Sequence, residues 1–179
     1  MENIANLAHI DSILNEWKAV IGNDFDGYRN HVVRMVTFSL LLRPCDSKEQ
    51  RAIEIAACFH DIGIWTSKTW DYLPPSVLAA RNYLEENSLG EFTCDVEQMI
   101  LHHHKLLPVK DNASPLVETF RRGDLVDFSC GSIRFGIPAK TVARIRRQYA
   151  NHGFHKALGK LFLTWMLKNP LNPAPMVKL

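Results

Sequence analysis

Apolar residues recur at intervals of three and four along most of the chain, and this spacing most constrains its fold. The first such stripe consists of Ile4, Leu7, Ile10, Leu14, Trp17 and Ile21. Residues at this spacing lie on one face of an α-helix, and that face must pack against another element. No run of alternating apolar and polar residues is long enough to predict a strand. We therefore expect an all-α fold, a single helical bundle.

Helix-breaking and capping residues divide the chain into eight predicted helices. Their approximate ranges are 4–21, 28–42, 47–60, 76–86, 93–104, 116–129, one that begins near Pro138, and 154–167, with Asn23, Asp24 and Gly27 separating the first two. Ser47 and Gln50 have the spacing of a capping box at the start of the third helix. Residues 65–73 are predicted to form a loop, which Pro74 and Pro75 close.

Length and composition are those of one globular domain. The chain has 179 residues, of which 46% are hydrophobic and 22% are charged. This balance argues against disorder and against a fibrous protein. A chain of this length can bury a core without disulfide or metal staples. We predict a single domain over residues 1–179, in which prolines make 169–179 an irregular tail.

Charge and cysteine usage bear on compartment and partners. The formal net charge is only +2, which gives no general reason to expect binding to nucleic acid or to a membrane surface. The four cysteines are widely spaced, which favours reduced thiols in a reducing compartment. No stretch approaches the ~18 apolar residues of a membrane helix, and the N-terminus lacks the features of a secretory signal. We therefore expect a cytoplasmic protein.

Residues with metal-binding and acid–base chemistry lie near the ends of predicted helices. Burying His60 and Asp61 at the end of an apolar helix is costly unless a metal or another partner compensates. A packed core histidine beside a capping aspartate explains the pair equally well. Asp124 and Asp127 share a helix face, as any amphipathic helix would allow, and His31 alone is typical of a surface histidine.

Three consecutive histidines, His102, His103 and His104, end the fifth predicted helix. Consecutive residues lie about 100° apart around a helix, so the three side chains cannot all point at one site. We expect His102 to be packed in the core or exposed to solvent.

The order of these fragments along the chain is more specific than any one of them. A lone histidine (His31), an adjacent His-Asp pair (His60-Asp61) and a distal aspartate (Asp124) lie on different predicted helices. This pattern resembles the HD superfamily of metal-dependent phosphohydrolases, and the resemblance covers roughly residues 28–128. An uncharacterised subgroup of that family is similar in three motifs: Tyr28-Arg29-Asn30-His31, Phe59-His60-Asp61-Ile62-Gly63-Ile64-Trp65 and Asp71-Tyr72-Leu73.

The resemblance implies a helical bundle that binds one divalent metal ion. Carried over residue by residue, the ligands would be His31, His60, Asp61 and Asp124. Nitrogen and carboxylate ligands suit Mn, Fe, Co, Ni, Zn or Mg. Asp127 would hold a ligand histidine in place. The implied reaction is hydrolysis of a nucleotide or another small phosphate ester by a metal-activated water.

The histidine pattern favours one ion over two. Dinuclear members of the family have a further histidine between the His-Asp pair and the later histidine motif, whereas this chain has none between His60 and His102. His103 and His104 are then interpreted as catalytic groups on the substrate side, which protonate a leaving oxygen or contact phosphate. Asp61 is assigned to the catalytic set as well as to the ligands.

Two cations and one loop are further candidates for contact with a small phosphorylated substrate. Arg34 lies one helical turn after His31, and Lys105 directly follows the histidines; either could neutralise a phosphate or could be a solvated surface charge. The aromatic residues of the loop 65–72 could form a lid or a base-stacking wall, or could pack on the core.

Other functions stay open at this point. The same fold could host a metalloenzyme that acts on a non-phosphate substrate. Alternatively, basic helical faces could bind nucleic acid or an acidic partner beside a vestigial metal site, although the low net charge favours solvated faces. The basic residues concerned are Arg121, Arg122, Lys140, Arg144, Arg146 and Arg147. Packing of the proline-rich tail on a second copy, in a homo-oligomer, is an additional hypothesis.

Overall fold

Helices are the only regular secondary structure in the part of the chain that this computed structural model describes, residues 5–105, 107–109, 114–172 and 174–176. They are α1 (Leu7–Ile21), α2 (Phe25–Leu42), α3 (Ser47–Phe59), α4 (Gly63–Thr66), α5 (Leu73–Glu86), α6 (Thr93–His102), α7 (Pro115–Phe128), α8 (Ala139–Gln148) and α9 (Phe154–Lys168), with 3-10 turns at Gly22–Asp24 and Gly90–Phe92. The predicted all-α class is confirmed. Ile4 of the first stripe, and positions 173 and 177–179 of the predicted tail, lie outside the described residues.

The capping box of α3 lies one residue earlier than the sequence spacing predicted. Asp46 accepts a hydrogen bond from the backbone N–H of Glu49 at 2.8 Å, and the Glu49 carboxylate accepts one from the Asp46 N–H at 3.1 Å. Asp46 has extended backbone geometry, as an N-cap residue requires, and Ser47 is already the first helical residue. The prediction of Ser47 and Gln50 in these roles was therefore wrong by one position.

The predicted loop after the His-Asp pair is shorter than expected. One helical turn, α4, occupies its start, and Pro74 and Pro75 lie in the first turn of α5 instead of before it. A proline fits there because the first N–H groups of a helix have no partner inside the helix.

Gly27 was predicted to lie in the break between the first two helices, but it lies inside α2. A Cβ atom at this position would lie 3.1 Å from the Cβ of Phe154 and 3.2 Å from the carbonyl oxygen of Asn151. Gly27 therefore allows the start of α9 to approach α2 closely, which is a packing role and not a break.

The second helix is the centre of the bundle. It packs against α1, α3 and α7 along its length, with α8 and α9 also in contact. Nearly every residue from Tyr28 to Leu40 is buried, which is characteristic of a helix enclosed on all sides. α6 packs on the other side of α3 and also contacts α5 and α7.

Two smaller apolar clusters attach the C-terminal helices to the rest of the bundle. α8 contributes Val142 and Ile145 to a cluster with Phe38 and Val126. Side chains of α9 pack on a third cluster around Trp70 and Tyr72.

In the ranges given above, no helix combines the length and the apolar character needed to cross a membrane. All four cysteines are free thiols.

Candidate metal centre

Titratable side chains from four parts of the fold converge in the core. They are His31 on α2, His60 and Asp61 after α3, His103 and His104 after α6, and Asp124 and Asp127 on α7. All of these side chains except that of His104, which is partly buried, are at most 6% exposed. Burial of so many ionisable groups is unfavourable unless they compensate one another or share a bound ion.

The turn after α3 aims His60 and Asp61 into the cluster. The backbone N–H of Gly63 donates to the hydroxyl of Ser76 on α5 at 2.9 Å. A Cβ on Gly63 would lie 2.3 Å from the carbonyl oxygen of Tyr72, so only glycine fits this approach. The turn is thereby fixed against the start of α5, and the orientation of the His-Asp pair follows from it.

The structure brings together the four side chains that the sequence assigned as ligands. The Nε2 atoms of His31 and His60 are 3.1 Å apart. Nε2 of His60 lies 3.2 Å from Oδ2 of Asp61, and Nε2 of His31 lies 3.4 Å from Oδ1 of Asp124. These residues come from three separate parts of the chain, as the sequence pattern required.

The hydrogen bonds of His31 and His60 determine which ring nitrogen of each carries the lone pair that faces the centre. Nδ1 of His31 is 2.8 Å from Oδ2 of Asp127, and Nδ1 of His60 is 2.8 Å from the carbonyl oxygen of Ala57. A carboxylate and a carbonyl only accept, so each Nδ1 carries the proton in the neutral ring. Both Nε2 atoms then present lone pairs to each other at 3.1 Å, an arrangement that a cation stabilises.

His103 has the same arrangement on the other side of Asp61. Its Nδ1 atom is 2.7 Å from the carbonyl oxygen of Ile100, so its Nε2 atom also carries a lone pair. Nε2 of His103 lies 3.5 Å from Oδ1 of Asp61. Neither atom has a hydrogen-bond partner among the described residues. Two buried acceptors that face each other fit a cation between or beside them.

Two groups of metal-compatible donors therefore meet at Asp61. One consists of His31, His60 and Asp61, and the other of Asp61, His103 and His104; within each group the ligand atoms lie within 4.8 Å of one another. The first group contains three of the four predicted ligands. The second contains both histidines that the sequence suggested for the substrate side. The expectation of a single ion stays a prediction, and a second set of donors lies beside the first.

Burial and neighbouring charges shift the pKa values of three side chains in the cluster. Burial lowers the pKa of His31 to about 4, so its ring is neutral at pH 7. Burial would raise the pKa of Asp61, but the interactions of its carboxylate with the protonated forms of His60 and His103 lower it well below its usual range, so Asp61 stays ionised when these rings lose their protons. Burial and the charges of nearby carboxylates raise the pKa of Asp124 to about 7. Neutral imidazoles and at least one ionised carboxylate are the forms that bind metal.

The three remaining predicted residues, Asp127, Arg34 and Lys105, differ in how they are placed. Asp127 lies against Nδ1 of His31, the position that its predicted supporting role requires. Arg34 is fully buried and donates to Asp127 from Nε and Nη2 at 2.6 and 2.7 Å. This placement favours support of the site over the phosphate contact suggested from the sequence. Lys105 is partly buried after the histidines, and its carbonyl accepts from Arg121.

Tyr72 is a site residue that the sequence suggested only as part of an aromatic loop. Its hydroxyl is hydrogen-bonded to Nε2 of His104, and both Tyr72 and Trp70 are buried. The aromatic side chains of this loop therefore pack on the core.

His102 is also packed, with Nε2 2.9 Å from the side-chain oxygen of Gln98.

Phe154 is a contact residue that no sequence signal identified. Its ring stacks on the ring of His31, with centroids 4.7 Å apart. Tyr28, one turn before His31, stacks in a similar way on His60, with centroids 5.9 Å apart. Phe154 looks like an ordinary apolar residue at the start of a helix, so its role depends on where α9 packs.

The basic faces considered for nucleic-acid binding are partly engaged within the protein. Arg121 and Arg122 both donate to Glu118 at 2.8 Å, and Arg121 is only 4% exposed. Arg146 donates to Oδ1 of Asp127 at 3.1 Å. The exposed basic surface is therefore smaller than the sequence suggested.

No protein-family model, curated protein or solved structure matches this chain.

Proposed function

We propose that this protein is a metal-dependent phosphohydrolase of the HD superfamily that hydrolyses a nucleotide or another small phosphate ester. The observation that carries the proposal is the pair of buried Nε2 atoms of His31 and His60, 3.1 Å apart with both Nδ1 atoms already bonded. The order of His31, His60-Asp61 and Asp124 along the chain supports the family, because it is the order of the HD pattern.

The donors present fit a divalent ion. His31, His60, Asp61 and Asp124 would hold it, and a bound ion would supply activation of a water nucleophile and stabilisation of charge on the phosphoryl oxygens. The nearly complete burial of these side chains strengthens their electrostatic interactions with a bound ion.

The protein's own groups then orient the substrate and move protons. His103 and His104 lie on the Asp61 side of the cluster. The lone pair on Nε2 of His103 would first take the proton of the attacking water, and the ring would then pass it to the leaving oxygen. The hydroxyl of Tyr72 is bonded to His104 and fixes the orientation of its ring. Lys105 follows these histidines, and its ammonium group is the candidate for neutralising the substrate phosphate.

A phosphate-release assay tests this proposal. Chelator-treated protein is given a panel of nucleotides and small phosphate esters with Mn, Co, Ni, Mg or Zn, and bound metal is measured in the same samples. We expect metal-dependent turnover that falls by more than about 100-fold in Asp61→Asn, because even a residue that supports a ligand contributes ~10–100-fold. Asp26→Asn is the matched control, since Asp26 is an exposed carboxylate in the first turn of α2.

The outcomes separate the proposed function from its alternatives. A folded protein that binds metal but releases no phosphate from any substrate would favour a metalloenzyme with a non-phosphate substrate. A folded protein that binds no metal would contradict the ligand assignment and favour a binding module. Equal turnover in Asp61→Asn and Asp26→Asn would place the activity elsewhere.

A further inference from the structure

Arg34 is one of the largest fully buried side chains in the described structure, and it lies beside the metal centre without being one of its donors. Its Nε and Nη2 atoms donate to Oδ1 and Oδ2 of Asp127 at 2.6 and 2.7 Å. Two parallel hydrogen bonds from one planar group fix both the position and the rotation of a carboxylate.

The carboxylate held in this way controls the orientation of His31. Oδ2 of Asp127 is 2.8 Å from Nδ1 of His31. Nδ1 must donate here, so Nε2 of His31 is kept as a lone pair that faces His60. Rotation of the Asp127 carboxylate would release the ring and allow the other tautomer. The chain of contacts from Arg34 through Asp127 to His31 therefore sets a donor atom of the centre.

Helix α8 and the backbone just after it contact Asp127 and the other side of Arg34. Nη1 of Arg34 donates to the carbonyl oxygen of Tyr149 at 2.8 Å and lies 3.4 Å from that of Ala150. Arg146 on α8 donates to Oδ1 and to the carbonyl oxygen of Asp127 at 3.1 and 3.2 Å. The family resemblance covers only residues 28–128. Residues beyond that range thus contact Arg34 and Asp127, which hold His31 in place.

We propose that Arg34, together with Arg146, is a positioning residue that fixes the metal ligand His31 through Asp127. This inference rests on the metal centre of the proposed function, but it does not depend on which substrate is hydrolysed. It assigns α8 a part in metal binding: the helix supplies Arg146, and the backbone just after it supplies acceptors for Arg34.

Cobalt binding to chelator-treated protein tests the inference without a substrate. Affinity is measured by competition with a chelator, the visible absorption of the cobalt complex reports ligand geometry, and urea unfolding of the metal-free protein reports stability. The variants are Arg34→Met, Arg34→Lys and Arg146→Met. Arg29→Met is the matched control, because Arg29 also lies on α2 and donates from Nε and Nη2 to Asp11, at 2.6 and 2.8 Å.

We expect Arg34→Met to weaken cobalt binding by ~10–100-fold and to change the absorption band. Arg34→Lys should recover part of the affinity, because lysine keeps the charge but cannot make the paired contact. Arg146→Met should show a smaller change in the same direction. Arg29→Met should retain the affinity and the spectrum, although it loses an ion pair of the same geometry.

Wild-type affinity and absorption in Arg34→Lys and Arg146→Met would overturn the inference, whatever their stability. If the Arg34 variants do not fold, the more exposed Arg146 position decides: unchanged cobalt binding in Arg146→Met overturns the inference and weakened binding upholds it. Absence of cobalt binding in the wild type would overturn both the metal centre and this inference. If the variants weaken cobalt binding but the wild type releases no phosphate from any substrate, the inference is upheld and the proposed phosphohydrolase activity is contradicted.

Discussion

Gly123 on α7 is predicted to be essential for the spacing between the two helices that carry His31, Asp124 and Asp127. A Cβ at this position would lie 2.0 Å from the hydroxyl oxygen of Ser39 and 2.7 Å from the carbonyl oxygen of Met35. The serine hydroxyl can rotate away, but the Met35 carbonyl belongs to the backbone of α2. The second distance is about 0.7 Å short of the 3.4 Å at which ordinary contact begins.

Gly123→Ala should therefore push α2 and α7 apart and destabilise the protein. Overpacking of this kind costs typically ~1–3 kcal/mol, and the contact with backbone favours the upper part of that range. Alanine gains ~1 kcal/mol of helix propensity over glycine, so we expect a net loss of about 1–2 kcal/mol. Displacement of α7 should also weaken metal binding, because Asp124 and Asp127 move relative to His31.

Urea unfolding of the metal-free protein measures the first effect, and chelator competition measures the second. The control is Gly159→Ala on α9, where a Cβ meets no atom within 4 Å. This change should stabilise the protein by ~0.5–1 kcal/mol, the usual gain of alanine over glycine in a helix. If Gly123→Ala is as stable as Gly159→Ala and binds metal normally, the argument about the α2–α7 approach is refuted.

Two further predictions concern parts of the fold that support the site. Burial would raise the pKa of Glu118, but hydrogen bonds from Arg121 and Arg122 lower it from 4.5 to about 2. The ionised Glu118 carboxylate therefore stabilises the fold fully above about pH 5, and this stabilisation is lost as the pH falls towards 2. The difference in unfolding free energy between wild type and Glu118→Gln should decrease over this range. A difference that stays constant with pH would contradict this prediction. Ser76→Ala should lower the free energy of unfolding, measured in urea, by ~1–3 kcal/mol because it leaves the buried N–H of Gly63 without an acceptor. A decrease of less than ~0.5 kcal/mol would mean that this N–H finds another acceptor.

The helices were largely predictable because their signals are local. Apolar spacing and breaking residues place α1, α2, α6, α7 and α9 close to their observed bounds. One error is local, because the capping box moves by one residue to Asp46. The other is not local, because Gly27 proves to be a contact position inside α2. In that last case the residue beside glycine in space, Phe154, is far away in the sequence.

The four candidate ligands could be predicted because the order of their motifs carries information that single residues do not. His31 alone resembled a surface histidine, and only its combination with the His-Asp pair and Asp124 indicated a site. The structure adds the hydrogen bonds that orient His31 and His60, and it adds a neighbouring donor group at His103 and His104. These depend on backbone carbonyls and side-chain directions, which residue types do not specify.

The sequence by itself determined that the chain forms helices and that His31, His60, Asp61 and Asp124 occur in the order of a metal-binding pattern. The tertiary structure decided that Arg34 is buried and donates to Asp127, 93 residues away in the sequence. It also decided that the ring of Phe154 covers His31. The physical reason is that spacing along a helix determines which residues share a face, whereas the packing of distant helices determines what that face meets.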